Sequence, residues 1–284
     1  MISQKEIIEI AEQKRLKIKT IDKDWVLGHF LNAMYSFPDI KAHFVFKGGN
    51  ALKKCYFQEY RFSEDLDFTL LDKGFKIDDA FIRKIAKTAS NNSGIKFHLF
   101  KQKFQKSDDM EQGYEITIKY WGADHKPNQM PPSPLRWQSK IKLDISFSEK
   151  LLTTPEPREI FHEYSDKKQI TNVVPVYSLH EIISEKLRAL LQRNRPRDIY
   201  DIYYISQLIP ENNYPEIKNL LFQKADAKAI KINSIQNFAN EDKHRKNKKA
   251  WHSSLEDHLP TGDLPEFDVV YQHMIYFIEK ILKS

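Results

Sequence analysis

Apolar residues recur along this chain with two different periods, and the change of period divides it. In residues 24–35 (DWVLGHFLNAMY), Val26, Leu27, Phe30, Leu31 and Met34 fall at helical spacing, and Ile7 to Ala11 carries a shorter stretch of the same kind. Period two then takes over. Phe44 to Phe46 reads as an apolar strand end. Arg61 to Phe68 alternates strictly, with Arg61, Ser63, Asp65 and Asp67 on one face and Phe62, Leu66 and Phe68 on the other. Phe81, Ile82, Ile85 and Ala89 mark a helix over 78–90, closed by the turn Asn91-Asn92-Ser93-Gly94. Strands are expected over 95–100, 113–120 (GYEITIKY) and 135–147. In the last, Ile141, Leu143, Ile145 and Phe147 oppose Lys140, Lys142, Asp144 and Ser146. A proline-rich loop spans Trp121 to Pro134, TTPEP at 153–157 ends the sheet region, and Val173 to Val176 reads as a last short strand. From residue 177 the helical period returns. The pattern predicts a mixed α/β (α+β) fold: a mixed sheet flanked by helices over 1–176, followed by a mostly helical C-terminal domain over 177–284.

The junction of strand and helix at Lys47-Gly48-Gly49-Asn50 carries the first candidate chemistry. Two glycines let backbone N–H groups approach a ligand closely, and a helix start offers unpaired N–H groups to an anion. Lys47, Gly48, Gly49 and Asn50, with Ser63 on the neighbouring strand, are therefore candidate phosphate-binding residues. Asp65 and Asp67 lie side by side on one strand face. Two carboxylates that close repel unless a cation lies between them, and a hard divalent ion shared with phosphates is the natural partner. Asp144, an acid in the middle of a sheet strand, is explained if it meets them.

Charge also interrupts two apolar helix faces. In Leu179 to Asn194, Lys186 falls within the arc of Ile182, Ile183, Leu187, Leu190 and Leu191, with Arg193 at its edge and Arg188 on the opposite, solvent side. In Arg197 to Ile209, Asp198 and Asp201 fall within the arc of Ile202, Ile205, Leu208 and Ile209, opposite Tyr200, Tyr203 and Tyr204. A salt bridge joining the helices, Asp198 with Lys186 or Arg193, is compatible with Lys186 meeting a bound anion.

KGGNAL…RFSEDLDF and EKLRALLQRNRPRDIYDIY together resemble the AbiEii/AbiGii-type nucleotidyltransferase toxins, a branch of the polymerase-beta-like nucleotidyltransferase superfamily. The resemblance runs from the IDKD segment at 21–24 to Trp251 and the Phe267–Leu282 region. It implies that the Gly-Gly turn holds an NTP and that Asp65 and Asp67 bind Mg²⁺ or Mn²⁺. By the same resemblance Asp144 completes the metal site and acts on the incoming hydroxyl. Lys186 contacts the triphosphate, Asp198 and Asp201 finish the pocket wall, and the helical domain closes the active site. It further implies the toxin of a bacterial type IV toxin–antitoxin or abortive-infection system, with an AbiEi-type antitoxin, in direct contact or not, and an RNA such as tRNA as acceptor. One departure stands out: Asn50 follows the glycines where the family has Thr or Ser. Asp22 and Asp24 in the IDKD segment read as helix-start caps.

The totals fit this picture. Of 284 residues, 40% are hydrophobic and 30% charged, as in a folded globular protein. No apolar run approaches the ~20 residues of a membrane span, and the N-terminus lacks an apolar signal core. The single cysteine, Cys55, excludes an intrachain disulfide and suits a reducing cytoplasm; it reads as packing. A net charge of +6 favours polyanionic partners weakly. The basic run EDKHRKNKK at 241–249 is a solvated surface or an RNA contact, with Trp251 or Trp137 stacking a base. No HExxH, paired metal-ligand histidine spacing or GxSxG motif occurs. Two rivals stay open: transfer to a protein or small-molecule hydroxyl, and a non-catalytic relative that binds RNA or a partner.

Overall fold

The computed structural model describes residues 1–107, 110–126, 129–260 and 264–284. Residues 127–128 of the expected proline-rich loop lie outside the described residues. The chain divides into two compact units, one of residues 1–151 and 155–177, the other of 152–154 and 178–284.

The first unit contains α1 (Gln4–Lys14), α2 (Ile18–Met34), α3 (Pro38–His43), β1 (Phe44–Lys47), α4 (Gly48–Ala51), β2 (Asp65–Leu70), α5 (Asp79–Ser93), β3 (Lys96–Ser107), β4 (Met110–Trp121), β5 (Lys140–Ser146), β6 (Glu156–Glu159) and β7 (Val173–Val176). The strands form one mixed sheet in the order β3-β4-β5-β2-β1-β7-β6. The pairs β1–β7 and β2–β5 are parallel and the other four antiparallel. Alternation sets its two faces. Leu66, Phe68, Ile116, Ile118, Ile141, Leu143 and Ile145 are buried on one side, where α2 and α5 pack. Phe68 sits among the rings of Tyr35, Phe44 and Phe46, at centroid distances of 6.3, 6.0 and 5.3 Å. Truncating such a buried ring costs roughly 3–5 kcal/mol. Helix α5 begins where the Asp78 side chain accepts from Phe81 N and ends at Gly94, whose φ of 79° is left-handed.

Several boundaries differ from the sequence pattern. Helix α2 begins at Ile18, nearly two turns before the Asp24 start that its apolar spacing suggests. Asp22 and Asp24 are consequently buried inside it rather than capping it. Strand β2 begins only at Asp65, so Arg61 to Glu64 precede it. Strand β5 starts at Lys140, because Pro134–Arg136 forms a 3-10 turn. The sheet also continues past TTPEP: β6, sequence EPRE, lacks apolar alternation because it is an edge strand paired on one side only.

The second unit is helical: α6 (Leu179–Gln192), α7 (Pro196–Ser206), α8 (Tyr214–Asp226), α9 (Glu241–Leu255) and α10 (Phe267–Lys283). Ser178 caps α6 by accepting from Glu181 N. Both α7 and α8 pack on α6, which widens its buried surface. Arg188, expected in solvent, is buried, as is Tyr200 on α7. Leu208, beyond the end of α7, is exposed. Trp251 and Trp137 are both core residues. Their indole N–H groups donate to the carbonyls of Pro265 and Pro132, each at 2.9 Å, so neither ring is a free stacking platform. Among the described residues, no helix is long and apolar enough to cross a membrane.

Candidate active site

The turn from β1 into α4 is built around two missing Cβ atoms. Gly48 has φ +78°, and a Cβ there would lie 2.2 Å from Asp67 Oδ2. A Cβ on Gly49 would lie 2.9 Å from Ser63 Oγ and 3.0 Å from Arg61 Nη2. The turn backbone is thus flush against Arg61, Ser63 and Asp67. Asn50 is fully buried, and its Nδ2 donates to the Asp65 carbonyl at 2.6 Å while its Oδ1 has no hydrogen-bond partner among the described residues. This side chain ties the turn to β2. Helix α4 continues into a π-helical turn, Leu52–Tyr56. There Lys54 forms a buried ion pair with Asp24 at 2.7 Å, which also accepts from Tyr164 Oη at 2.9 Å. Burial alone would raise the Asp24 pKa; the charges of Lys54 and Lys53 outweigh it and hold the carboxyl below its usual range. The pair anchors the turn to α2. Cys55, beside it, is a buried thiol that burial pushes up to about 12.

Sheet register lines up charge on the face opposite the core. Lys47 on β1 pairs with Asp67 on β2, Asp67 with Asp144 on β5, Asp144 with Glu115 on β4, and Glu115 with Lys103 on β3. One row beyond, Asp65 pairs with Lys142 and Lys142 with Thr117. Registered side chains on adjacent strands share a face about 4.8 Å apart. Asp67 and Asp144 are therefore neighbours, and Asp65 lies two residues along the same face. Glu115 escaped notice in the sequence, although the alternation of GYEITIKY puts it on the polar face with Thr117 and Lys119. Its carboxylate pairs with Lys103 at 2.9 Å. Half-buried Asp65, Asp67 and Asp144, with Asp67 lying against the Gly48 backbone, offer the oxygen donors that a hard divalent cation prefers.

In the second unit, Lys186 Nζ lies 2.6 Å from Asp201 and 3.3 Å from Asp198. Arg193 Nε lies 2.8 Å from the other oxygen of Asp198. The helix-joining salt bridge is thus real. Burial would raise the Asp198 pKa, but Lys186 and then Arg193 hold it below the usual range.

Histidine chemistry lies elsewhere. His29, His162 and Asp166 bring ligand atoms within 4.8 Å of one another, a grouping with no spacing signal in the sequence. The two Asp166 oxygens face His29 Nε2 at 2.9 Å and His162 Nε2 at 3.0 Å, and Trp25 Nε1 donates at 3.1 Å. Burial lowers the His162 pKa. With Nε2 of each ring carrying its hydrogen, the three N–H groups satisfy the carboxylate without an ion. Gly28 permits this packing: a Cβ there would lie 2.5 Å from His162 Nδ1.

No curated protein matches the sequence. The fold resembles that of MenT4, a nucleotidyltransferase toxin from Mycobacterium tuberculosis H37Rv, at 15% identity, TM-score 0.67, and coverage of 100% of this chain and 91% of that one. It also resembles JHP933 from Helicobacter pylori, at 17% identity, TM-score 0.54 and 94% coverage of each chain. A family model described as "Nucleotidyl transferase AbiEii toxin, Type IV TA system" matches residues 29–273. With both sequence blocks inside that span, the chain belongs to the AbiEii family, the nucleotidyltransferase toxins of type IV toxin–antitoxin systems.

Proposed function

We propose that this nucleotidyltransferase toxin moves a nucleotidyl group from an NTP to an RNA hydroxyl, with tRNA as a candidate acceptor, releasing pyrophosphate in a reaction assisted by Mg²⁺ or Mn²⁺. The observation that carries the reading is the register of Asp67 with Asp144 beside a glycine turn flush against Asp67. Lys47, Gly48 and Gly49 would hold the phosphates, with Ser63 alongside; Asn50 would shape the turn from behind. Asp65, Asp67 and Asp144 would hold the metal, which when bound neutralises phosphate charge and polarises the reacting phosphorus. Asp144 would also accept the proton of the attacking hydroxyl as its oxygen bonds to the α-phosphorus and pyrophosphate leaves. Lys186, with Arg193, Asp198 and Asp201 fixing its position, would supply charge toward the triphosphate.

The net charge of +6 supports a polyanionic acceptor. The same reading places the protein in the cytoplasm, in an abortive-infection role, with a cognate AbiEi-type antitoxin. The test is incubation with each α-labelled NTP, Mg²⁺ and a bacterial extract fractionated afterwards into RNA, protein and small molecules. Label in RNA is the expected result. Label only in protein or small molecules would replace the acceptor, and no metal-dependent turnover with any fraction would overturn the reading.

A further inference from the structure

Strand β3 carries a bulge in the lysine-rich part of the carboxylate-bearing face. Leu99 pairs with Ile118, but Thr117 pairs with Lys101, so Phe100 has no cross-strand partner. Leu99 is buried on the core side, whereas Phe100 is 49% exposed and its ring lies under Lys119 Nζ, 4.4 Å from the centroid. An aromatic ring on this edge strand, exposed on the polar face, contributes little to the core. The lysines around it are also poorly explained by stability. Lys119 and Lys140 are directly opposed across β4 and β5, and Lys101 and Lys142 flank the same Thr117. Like charges in such positions destabilise a sheet. Of the acids on this face of these strands, Glu115 pairs with Lys103, and Asp144 lies one row beyond Lys142, in register with Glu115.

We propose that this surface, Phe100 with Lys101, Lys103, Lys119, Lys140 and Lys142, binds the single-stranded segment of an RNA acceptor that leads to its reacting hydroxyl. It rests on the RNA-acceptor reading. Lysines spaced across three strands fit successive phosphates, and a bulged ring capped by a lysine fits one unstacked base. An acidic peptide would use the lysines but not the ring face. The surface runs into the carboxylates without a break, since Lys142 is in register with Asp65. From β3 to β2 is three strand spacings, roughly 14 Å.

The test uses the full chain and a fluorescein-labelled, unstructured 12-nucleotide RNA, read by anisotropy at several salt concentrations. The same proteins are assayed for label transfer to total bacterial RNA. Phe100→Ala is expected to weaken binding by roughly 10-fold, the order of one lost base stack. Lys101→Gln with Lys142→Gln is expected to flatten the salt dependence by about 1.4 in log–log slope. Tyr276→Ala, an exposed aromatic on α10, should bind as wild type. Should Phe100→Ala fail to fold, Phe100→Leu keeps the apolar bulk without the ring face. If wild type labels RNA and the β3–β5 variants bind and label equally well, the surface is wrong while the acceptor reading stands. If a 12-base-pair RNA duplex binds as tightly as the single strand with no dependence on Phe100, the stacking role is wrong. If wild type neither binds nor labels RNA, both readings fall.

Discussion

Asp67 and Asp144 occupy registered positions on the parallel strands β2 and β5, so two carboxylates stand one strand spacing apart on the same face. A parallel pair of this kind needs a crossover connection, and here residues 71–139 supply it between the end of β2 and the start of β5. Removing one negative charge should relieve repulsion in the metal-free protein. Asp67→Asn is expected to melt no earlier than wild type while losing NTP turnover by at least ~100-fold. Undiminished pyrophosphate release by this variant would reject the site.

Gly48→Ala separates backbone strain from site geometry. Its left-handed φ of +78° costs an L-residue roughly 1–2 kcal/mol, and its Cβ would also displace the Asp67 carboxylate. Gly94, at φ +79°, carries the same strain, but there a Cβ meets only Met1, at 3.3 Å. Both alanine variants should lower the melting temperature by a similar few degrees, and only Gly48→Ala should lose turnover. Thermal melts and turnover measured in parallel decide it.

Lys186→Met leaves the buried Asp201 carboxylate without its closest cation. Breaking a buried pair on one side typically costs about 3–5 kcal/mol. The variant should melt well below wild type, and adding Asp201→Asn should restore much of the loss. The rescued double variant then isolates the phosphate role: it should remain folded and turn over NTP at least ~100-fold more slowly. Recovery of both stability and turnover would reduce Lys186 to a strut.

Asp22 gives a pH dependence. Burial pushes its carboxyl up to about 6, against backbone hydrogen bonds from Ala123 and Asp124 that favour the charged form. Between the ordinary carboxylate value near ~4 and about 6, the folded state holds a proton that the unfolded state releases. The contribution to stability therefore falls as pH rises through this window, by on the order of 2–3 kcal/mol. Asp22→Asn should raise the melting temperature at pH 7.5, and the gain should vanish near pH 4. A pH-independent difference would contradict the shift.

Toxicity should follow the same carboxylates. Expression of the wild-type chain without its antitoxin is expected to arrest growth, and Asp65→Ala to restore it at equal protein level. Growth curves with immunoblots check this; equal arrest by both chains would detach toxicity from the site.

Local chemistry made much of this protein legible in advance. Gly-Gly marked the turn, since only a residue without Cβ tolerates the positive φ and the close approach of Asp67. Strict alternation put Asp65 and Asp67 on one face and Asp144 on the polar side of its own strand. Charges inside two apolar helix arcs pointed to the Lys186–Asp198–Asp201 network. Each is a statement about neighbours within one element, where periodicity fixes direction.

What the sequence could not decide depended on partners distant along the chain. Arg188 is buried although its wheel position points away from the apolar arc of α6, since burial depends on what packs around a helix and not on the helix alone. Asp22 and Asp24 became buried because α2 starts earlier and lies beneath the sheet; their partners, Ala123 and Lys54, come from other elements. The bulge that turns Phe100 outward exists only in the register of β3 with β4. Periodicity along the chain fixes which residues share a face; what each face meets is fixed only when the elements pack, because burial and pairing are properties of two surfaces and not of one.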